Sequence, residues 1–164
     1  MRKYLAAILM LLAFTSAAFA LTEGFDDVDR VLLIKSALSV QKNSYAPYSH
    51  FNVSAAVLCG SGKIYTGVNV ENSSYPAGLC AEGNAIFHAI AEGERTIRAI
   101  AIMGGAEHVI TEYCSPCGMC RQVMREFGDP KNVLVIMAKS EEDYTEMTLE
   151  QLMPLSYGPE YLRW

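Results

Sequence analysis

Two cysteine-headed segments, far apart in the chain, constrain its fold more than anything else in the sequence. One is Ser115-Pro116-Cys117-Gly118-Met119-Cys120-Arg121-Gln122. Two cysteines separated by two residues, just after a proline, put two thiolates on one turn, which suits two corners of a tetrahedral zinc site. A pair cannot close that site, so a third ligand must come from elsewhere. The best candidate is Cys80-Ala81-Glu82, 37 residues upstream, where a helical pattern begins. Whatever the chain folds into must bring these segments together. Three protein ligands leave a fourth position for water, the mark of a catalytic rather than a structural zinc.

Both segments open helices, whose N-terminal N–H groups and positive potential lower a thiolate's pKa and orient it for a metal. Glu82 falls on the first helical turn and can point toward the open position. There it can take a proton from water and pass it to a leaving group. Such a set hydrolyses at an electron-poor carbon. The competing reading is a structural zinc knuckle, its fourth ligand drawn from Cys114, His50, His88 or His108. Cys114 is the strongest competitor, three residues before Cys117. His88 reads as a partly buried structural side chain.

The chain has 164 residues, 51% apolar and 19% charged, which fits one globular domain with a real core. Its first twenty residues stand apart. Arg2 and Lys3 form a basic start, Leu5 to Phe14 an apolar run too short to span a membrane comfortably, and Ala18-Phe19-Ala20 a small-x-small cleavage site. Residues 1–20 are therefore expected to be a secretory signal peptide and 21–164 the domain; an uncleaved anchor is the alternative. The expected location is secreted, with no membrane association once the signal is removed. Cleavage takes the formal charge from −5 to −7. An acidic domain without a basic run is a poor binder of nucleic-acid polymers, although a single nucleoside remains open to it. Secretion favours disulfides, yet the motif needs free thiolates. Cys59 and Cys114 are left over as small apolar side chains with inert thiols, and their pairing stays open.

Periodicity predicts a helix from about Val28 to Lys42 capped by Asp26 or Asp27, with Val28, Val31, Leu32 and Leu38 recurring at helical spacing. A strand, Phe51 to Leu58, turns through Cys59-Gly60-Ser61-Gly62 into a second, Lys63 to Val70. A loop leads to the helix at Cys80, which ends near Gly93. Ile97 to Met103 reads as a doubly buried strand, and Gly104 to Ser115 as a loop. The helix from Cys117 to Phe127, strands at Val133 to Ala138 and Tyr144 to Met147, and a short helix capped by Thr148 complete the chain. This order gives an α/β fold, a mixed sheet covered by helices on both faces.

The chain resembles the small, homotetrameric, three-cysteine cytidine deaminases over roughly residues 28 to 160. The resemblance is carried by Pro47-Tyr48-Ser49-His50-Phe51, Asn69-Val70-Glu71-Asn72-Ser73-Ser74-Tyr75-Pro76, Cys80-Ala81-Glu82, Ser115 to Gly128, and Leu155-Ser156-Tyr157-Gly158-Pro159-Glu160. It implies a three-layer α/β/α sandwich with a mixed five-stranded sheet. It also implies one Zn²⁺ per subunit on Cys80, Cys117 and Cys120, with Glu82 shuttling protons while water attacks C4 of cytidine or deoxycytidine and ammonia leaves. Asn69 and Glu71 match positions that bind the ribose hydroxyls; on their own they read equally as a loop cap. Phe51 matches the aromatic that stacks on the base, where periodicity alone makes it a core residue. The backbones of Ala81 and Ser115 match positions that hydrogen-bond the ring. The family's sites are shared between subunits, and Tyr75 and Tyr157 match positions near those contacts. Members are usually cytoplasmic.

Two departures stand out. The family usually has Arg directly after the catalytic Glu, donating to the sulfurs and offsetting their charge, where this chain has Gly83. The resemblance therefore implies weakened activity, with Arg121 compensating in part, and leaves a silent zinc-binding protein with an exported interaction role as the alternative. Ser54 stands where the first strand usually has Gly. Asn52-Val53-Ser54 and Asn72-Ser73-Ser74 are formal glycosylation sequons; Asn72 is expected to be unmodified because its motif should be folded in.

Overall fold

The computed structural model describes residues 24–162; the signal-peptide segment lies outside them. Five strands form one sheet in the order β2-β1-β3-β4-β5. Strand β1 (Phe51–Cys59) pairs antiparallel with β2 (Ile64–Val68) and with β3 (Ile97–Ala106). Strand β3 runs parallel to β4 (Leu134–Ala138), which pairs antiparallel with β5 (Tyr144–Thr148). The parallel pair is buried on both faces, which is why Ala99 to Met103 and Val133 to Ala138 are unbroken apolar runs, while Arg98 near the start of β3 reaches out to Asp27.

One face of the sheet carries α1 (Arg30–Val40), whose Leu33, Ile34 and Ala37 pack on Ala56, Ala99, Ala101, Met103 and Ile136. The other carries α2 (Ala81–Ala91), α3 (Gly118–Phe127) and the one-turn α4 (Leu149–Leu152), packed on Ala55, Val57, Ile100, Ile102 and Val135. The result is the expected three-layer α/β/α sandwich with a mixed five-stranded sheet. Thr148 caps α4 in a reciprocal capping box with Gln151.

Three expectations are corrected. The N-cap of α1 is Asp29, whose carboxylate accepts from Leu32 N at 2.9 Å; neither Asp26 nor Asp27 caps it. Its core stripe is Leu33, Ile34 and Ala37, while Val31, Leu32 and Leu38 are exposed. Strand β3 also runs through the Gly104-Gly105 pair to Ala106, so the loop begins three residues later than expected.

These pairings put the start of β1 and the ends of β2 and β3 at one edge of the molecule, with Phe51 opposite Ala106 and Ser54 opposite Val68. The parallel register brings the end of β4 to the same edge. Helix α2 lies directly on β2 there. A Cβ on Gly67 would sit 2.6 Å from the Ala81 carbonyl oxygen, so only glycine lets the helix backbone touch the strand. That contact fixes where Cys80 is presented.

Candidate active site

Cys80 and Cys117 are the N-caps of α2 and α3, both in extended conformation. The Cys80 side chain caps nothing, whereas Cys117 Sγ accepts from Cys120 N at 3.3 Å. Cys80 Sγ lies 4.0 Å from Cys117 Sγ, Cys117 Sγ lies 3.2 Å from Cys120 Sγ, and all three sulfurs fall within 4.8 Å of one another. Zn–S bonds of about 2.3 Å at tetrahedral angles separate sulfurs by roughly 3.8 Å, so the donor set fits a zinc ion after small rotations. Among the described residues no fourth His, Cys, Asp or Glu joins the group. Cys114 instead packs against the backbone of β3, where a Cβ on Gly104 would lie 2.8 Å from its Sγ. His88 rests edge-on against Tyr65.

The electrostatics fit a cation. Hydrogen bonding with the Cys120 thiol, foremost, draws Cys80 down to about 7, and the same pairing drives Cys120 upward. The cluster thus holds a thiolate near neutral pH. Burial pushes Cys59 and Cys114 up to about 11, leaving both as inert thiols. Glu82, 4% exposed on the first turn of α2, has its pKa raised by burial. Its charge acts on Cys80, Cys114 and Cys120, yet it stands outside the sulfur group. A buried carboxyl beside the metal position, but not part of the ligand set, is placed to carry protons.

A cavity of about 520 Å³ opens at Cys80 and is lined by Asn69, Glu71, Tyr75, Leu79 and Met119 among others. Asn69 is largely occupied by the fold. Its Oδ1 accepts from Ser44 Oγ and Val53 N, and its Nδ2 donates to Phe51 O, leaving one N–H. Glu71 Oε2 accepts from Tyr48 N at 2.9 Å and Ser49 N at 3.1 Å. Hydrogen bonding from the Ser49 side chain, then from Tyr48 N–H, holds this carboxyl below its ordinary range. Tyr75 is 79% exposed on the rim, and Ala81 is buried behind Cys80.

Phe51 is 41% exposed and lines a separate cavity of about 320 Å³ with Gly104, Tyr113 and Cys114. Ser115 is exposed, its Oγ accepting from Arg121 Nη2 at 3.1 Å. Arg121 also donates to Pro116 O and Leu152 O, so its hydrogen bonds tie down the loop and not the sulfurs. The first atom of a side chain at Gly83 would meet only Phe87 Cε2, at 3.8 Å. Tyr157 stacks on Tyr161.

Of the two sequons, Asn52 is 7% exposed and bonded through both ends of its amide. Asn72, expected to be folded in, is exposed, because its loop bends outward around an Asn72 to Ser74 turn. Sequence reasoning missed Gly67 and Gly104 as close-contact positions. A glycine in a strand is itself the signal for such an approach.

Three thiols on two helix N-termini, no fourth protein donor among the described residues and a buried carboxyl beside them define a zinc-dependent hydrolase on an α/β/α sandwich. The family model described as "Cytidine and deoxycytidylate deaminase zinc-binding region" matches residues 29–137. The chain belongs to that family. It is 38% identical over 133 residues to the cytidine deaminase of Halalkalibacterium halodurans, covering 81% of this chain and 97% of that one. It is also 38% identical over 129 residues to a probable cytidine deaminase of Dictyostelium discoideum, covering 79% and 84%. The crystal structure of cytidine deaminase from Burkholderia pseudomallei superposes with a TM-score of 0.69 at 39% identity, covering 77% of this chain and 97% of that one.

Proposed function

We propose that this chain deaminates cytidine and 2'-deoxycytidine hydrolytically, giving uridine or 2'-deoxyuridine and ammonia. The observation that carries this is the three-sulfur set with no fourth protein donor among the described residues and with Glu82 buried against it. Cys80, Cys117 and Cys120 hold one Zn²⁺, which supplies a Lewis acid that makes water nucleophilic at neutral pH. Glu82 takes one proton from the attacking water and gives it to ring N3 as the C4–O bond forms. It then carries the proton of the new C4 hydroxyl to the amine, and the C4–N bond breaks as the C4=O carbonyl forms and ammonia leaves. Burial favours the protonated Glu82, which suits a group that must also give its proton up.

Glu71 keeps one oxygen and Asn69 one N–H for the ribose hydroxyls, the backbones of Ala81 and Ser115 contact the ring, and Phe51 stacks on the base from the neighbouring cavity that it lines. Arg121 supports this arrangement from behind. The exposed Tyr75 and Met119 in the cavity lining, with Tyr157 exposed elsewhere on the surface, support a homotetramer in which neighbours complete each site. The basic and apolar opening of the sequence supports export after cleavage at Ala20.

Ammonia release from free cytidine by purified protein, with Glu82→Ala as control, tests the reading. Activity equal in the two proteins, or absent from both, overturns it.

A further inference from the structure

The loop between β3 and α3, residues 107–117, carries Cys114, Ser115 and Cys117, and it is exposed over most of its length. Its middle is gripped from outside. The Tyr113 hydroxyl donates to Asp143 Oδ1 at 2.5 Å, and Asp143 Oδ2 accepts from Lys139 Nζ at 2.7 Å. Lys139 Nζ in turn lies 4.6 Å from the centroid of the Tyr113 ring, which closes a triangle of three side chains.

Asp143 is itself pre-set. Its carbonyl accepts from Lys139 N and Ser140 N, and its own N–H donates to Ser140 Oγ. Lys139 and Asp143 flank the turn between β4 and β5, which the parallel register places at the same edge as the end of β3. Beyond Tyr113, Arg121 holds Ser115 Oγ and Pro116 O, and through Leu152 O ties them to α4. The segment Cys114-Ser115-Pro116 is therefore pinned at both ends.

We propose that Tyr113, with Asp143 and Lys139, is a clasp that positions Ser115 and Cys117 for base recognition and zinc retention. A single exposed ion pair would do little, because solvent screens it and two long side chains must be ordered. Here each carboxylate oxygen has its own donor and the cation also faces the ring, so the three order one another. The residues of the loop between the two grips lose conformational freedom before substrate arrives, which is where preorganisation raises affinity. The proposal rests on the reading of Cys117 as a zinc ligand and Ser115 as a ring contact.

The test uses the full zinc-loaded chain. Tyr113→Phe keeps the ring over Lys139 and removes only the hydroxyl. KM for cytidine is expected to rise about tenfold with kcat little changed, and zinc to pass to a chelator about tenfold faster, the fold-change of one charge-assisted hydrogen bond. Asp143→Asn keeps an acceptor for Tyr113 and weakens the pair with Lys139, so it falls between wild type and Tyr113→Phe. The double variant is no worse than Tyr113→Phe if the three act as a unit.

A lowered melting temperature with unchanged KM and zinc release would make the cluster merely structural and overturn the proposal. Fully additive effects of the two substitutions would overturn it as well. If wild type binds zinc and deaminates cytidine while Tyr113→Phe matches it in every readout, the clasp alone fails. If wild type does neither, the clasp fails along with the functional reading on which it rests.

Discussion

Gly83 governs how strong the chemistry can be. Three thiolates around one divalent ion sum to −1, and hydrogen-bonding cations beside the sulfurs restore the ion's pull on water. Arg121, next to Cys120 in the chain, directs one hydrogen bond from each nitrogen to Pro116, Leu152 and Ser115, and none to a sulfur. Gly83 is buried, and a Cβ there would make only an ordinary contact, with Phe87 Cε2 at 3.8 Å. Gly83→Arg is therefore expected to raise kcat by about tenfold, the scale of outer-shell effects at metal sites. A steady-state rate equal to or below wild type would refute the charge argument. Glu82→Gln, of the same shape but unable to carry protons, should lower kcat by about 10² to 10⁴ while one zinc per chain remains by metal analysis. Ser54 is a separate matter. Its Oγ is fully buried with no hydrogen-bond partner among the described residues, on the sheet face away from the sulfurs. Ser54→Ala should stabilise the fold by about 1 kcal/mol, read as a higher melting temperature with unchanged activity.

The elements were legible where one physical demand dominated. Both site helices start where a cysteine must leave the helical conformation to cap, and both interior strands announced themselves by burial on two faces. Helix α1 was misread because apolar residues lie around most of its circumference, so periodicity could not single out Leu33, Ile34 and Ala37. Asp29→Ala should cost about 1 kcal/mol of stability in a denaturant titration, and Asp26→Ala nothing measurable. The Gly104-Gly105 pair looked like a loop because glycine weakens strand propensity; its real task is to let Cys114 and the returning loop touch β3. Glu71 shows what composition cannot reveal, since its partners are the backbone N–H groups of Tyr48 and Ser49, more than twenty residues away. Its folded pKa lies below the ordinary value of 4.5. The support it gives that loop is thus fully present above the unfolded pKa and is lost only as pH falls through the lower folded one. KM for cytidine should show no Glu71 titration between about pH 5 and 8 and should climb in more acid solution.

At the scale of the whole molecule, the metal position joins two helices whose sulfur ligands are otherwise held by few direct contacts. Zinc bound to the folded chain and not to the unfolded one stabilises by about 4 kcal/mol at a thousand times its dissociation constant. Chelation should therefore lower the melting temperature by roughly 10 °C, and added zinc should restore it. The cavity beside that position is open to solvent, with exposed side chains in its lining. Tyr75 is 79% exposed and Met119 63%, and these large apolar side chains line the cavity that opens at Cys80. A site that must exclude water to strengthen its electrostatics needs a further wall, and the proposed homotetramer would supply it from another copy of the chain. Assembly and activity should then fall together. On serial dilution, specific activity should drop over the same concentration range in which sedimentation records the loss of tetramer, and Tyr75→Asp should shift both curves to higher concentration by the same factor. A monomer as active per chain as the assembly would show instead that Cys80, Glu82 and the cavity that opens at Cys80 suffice alone.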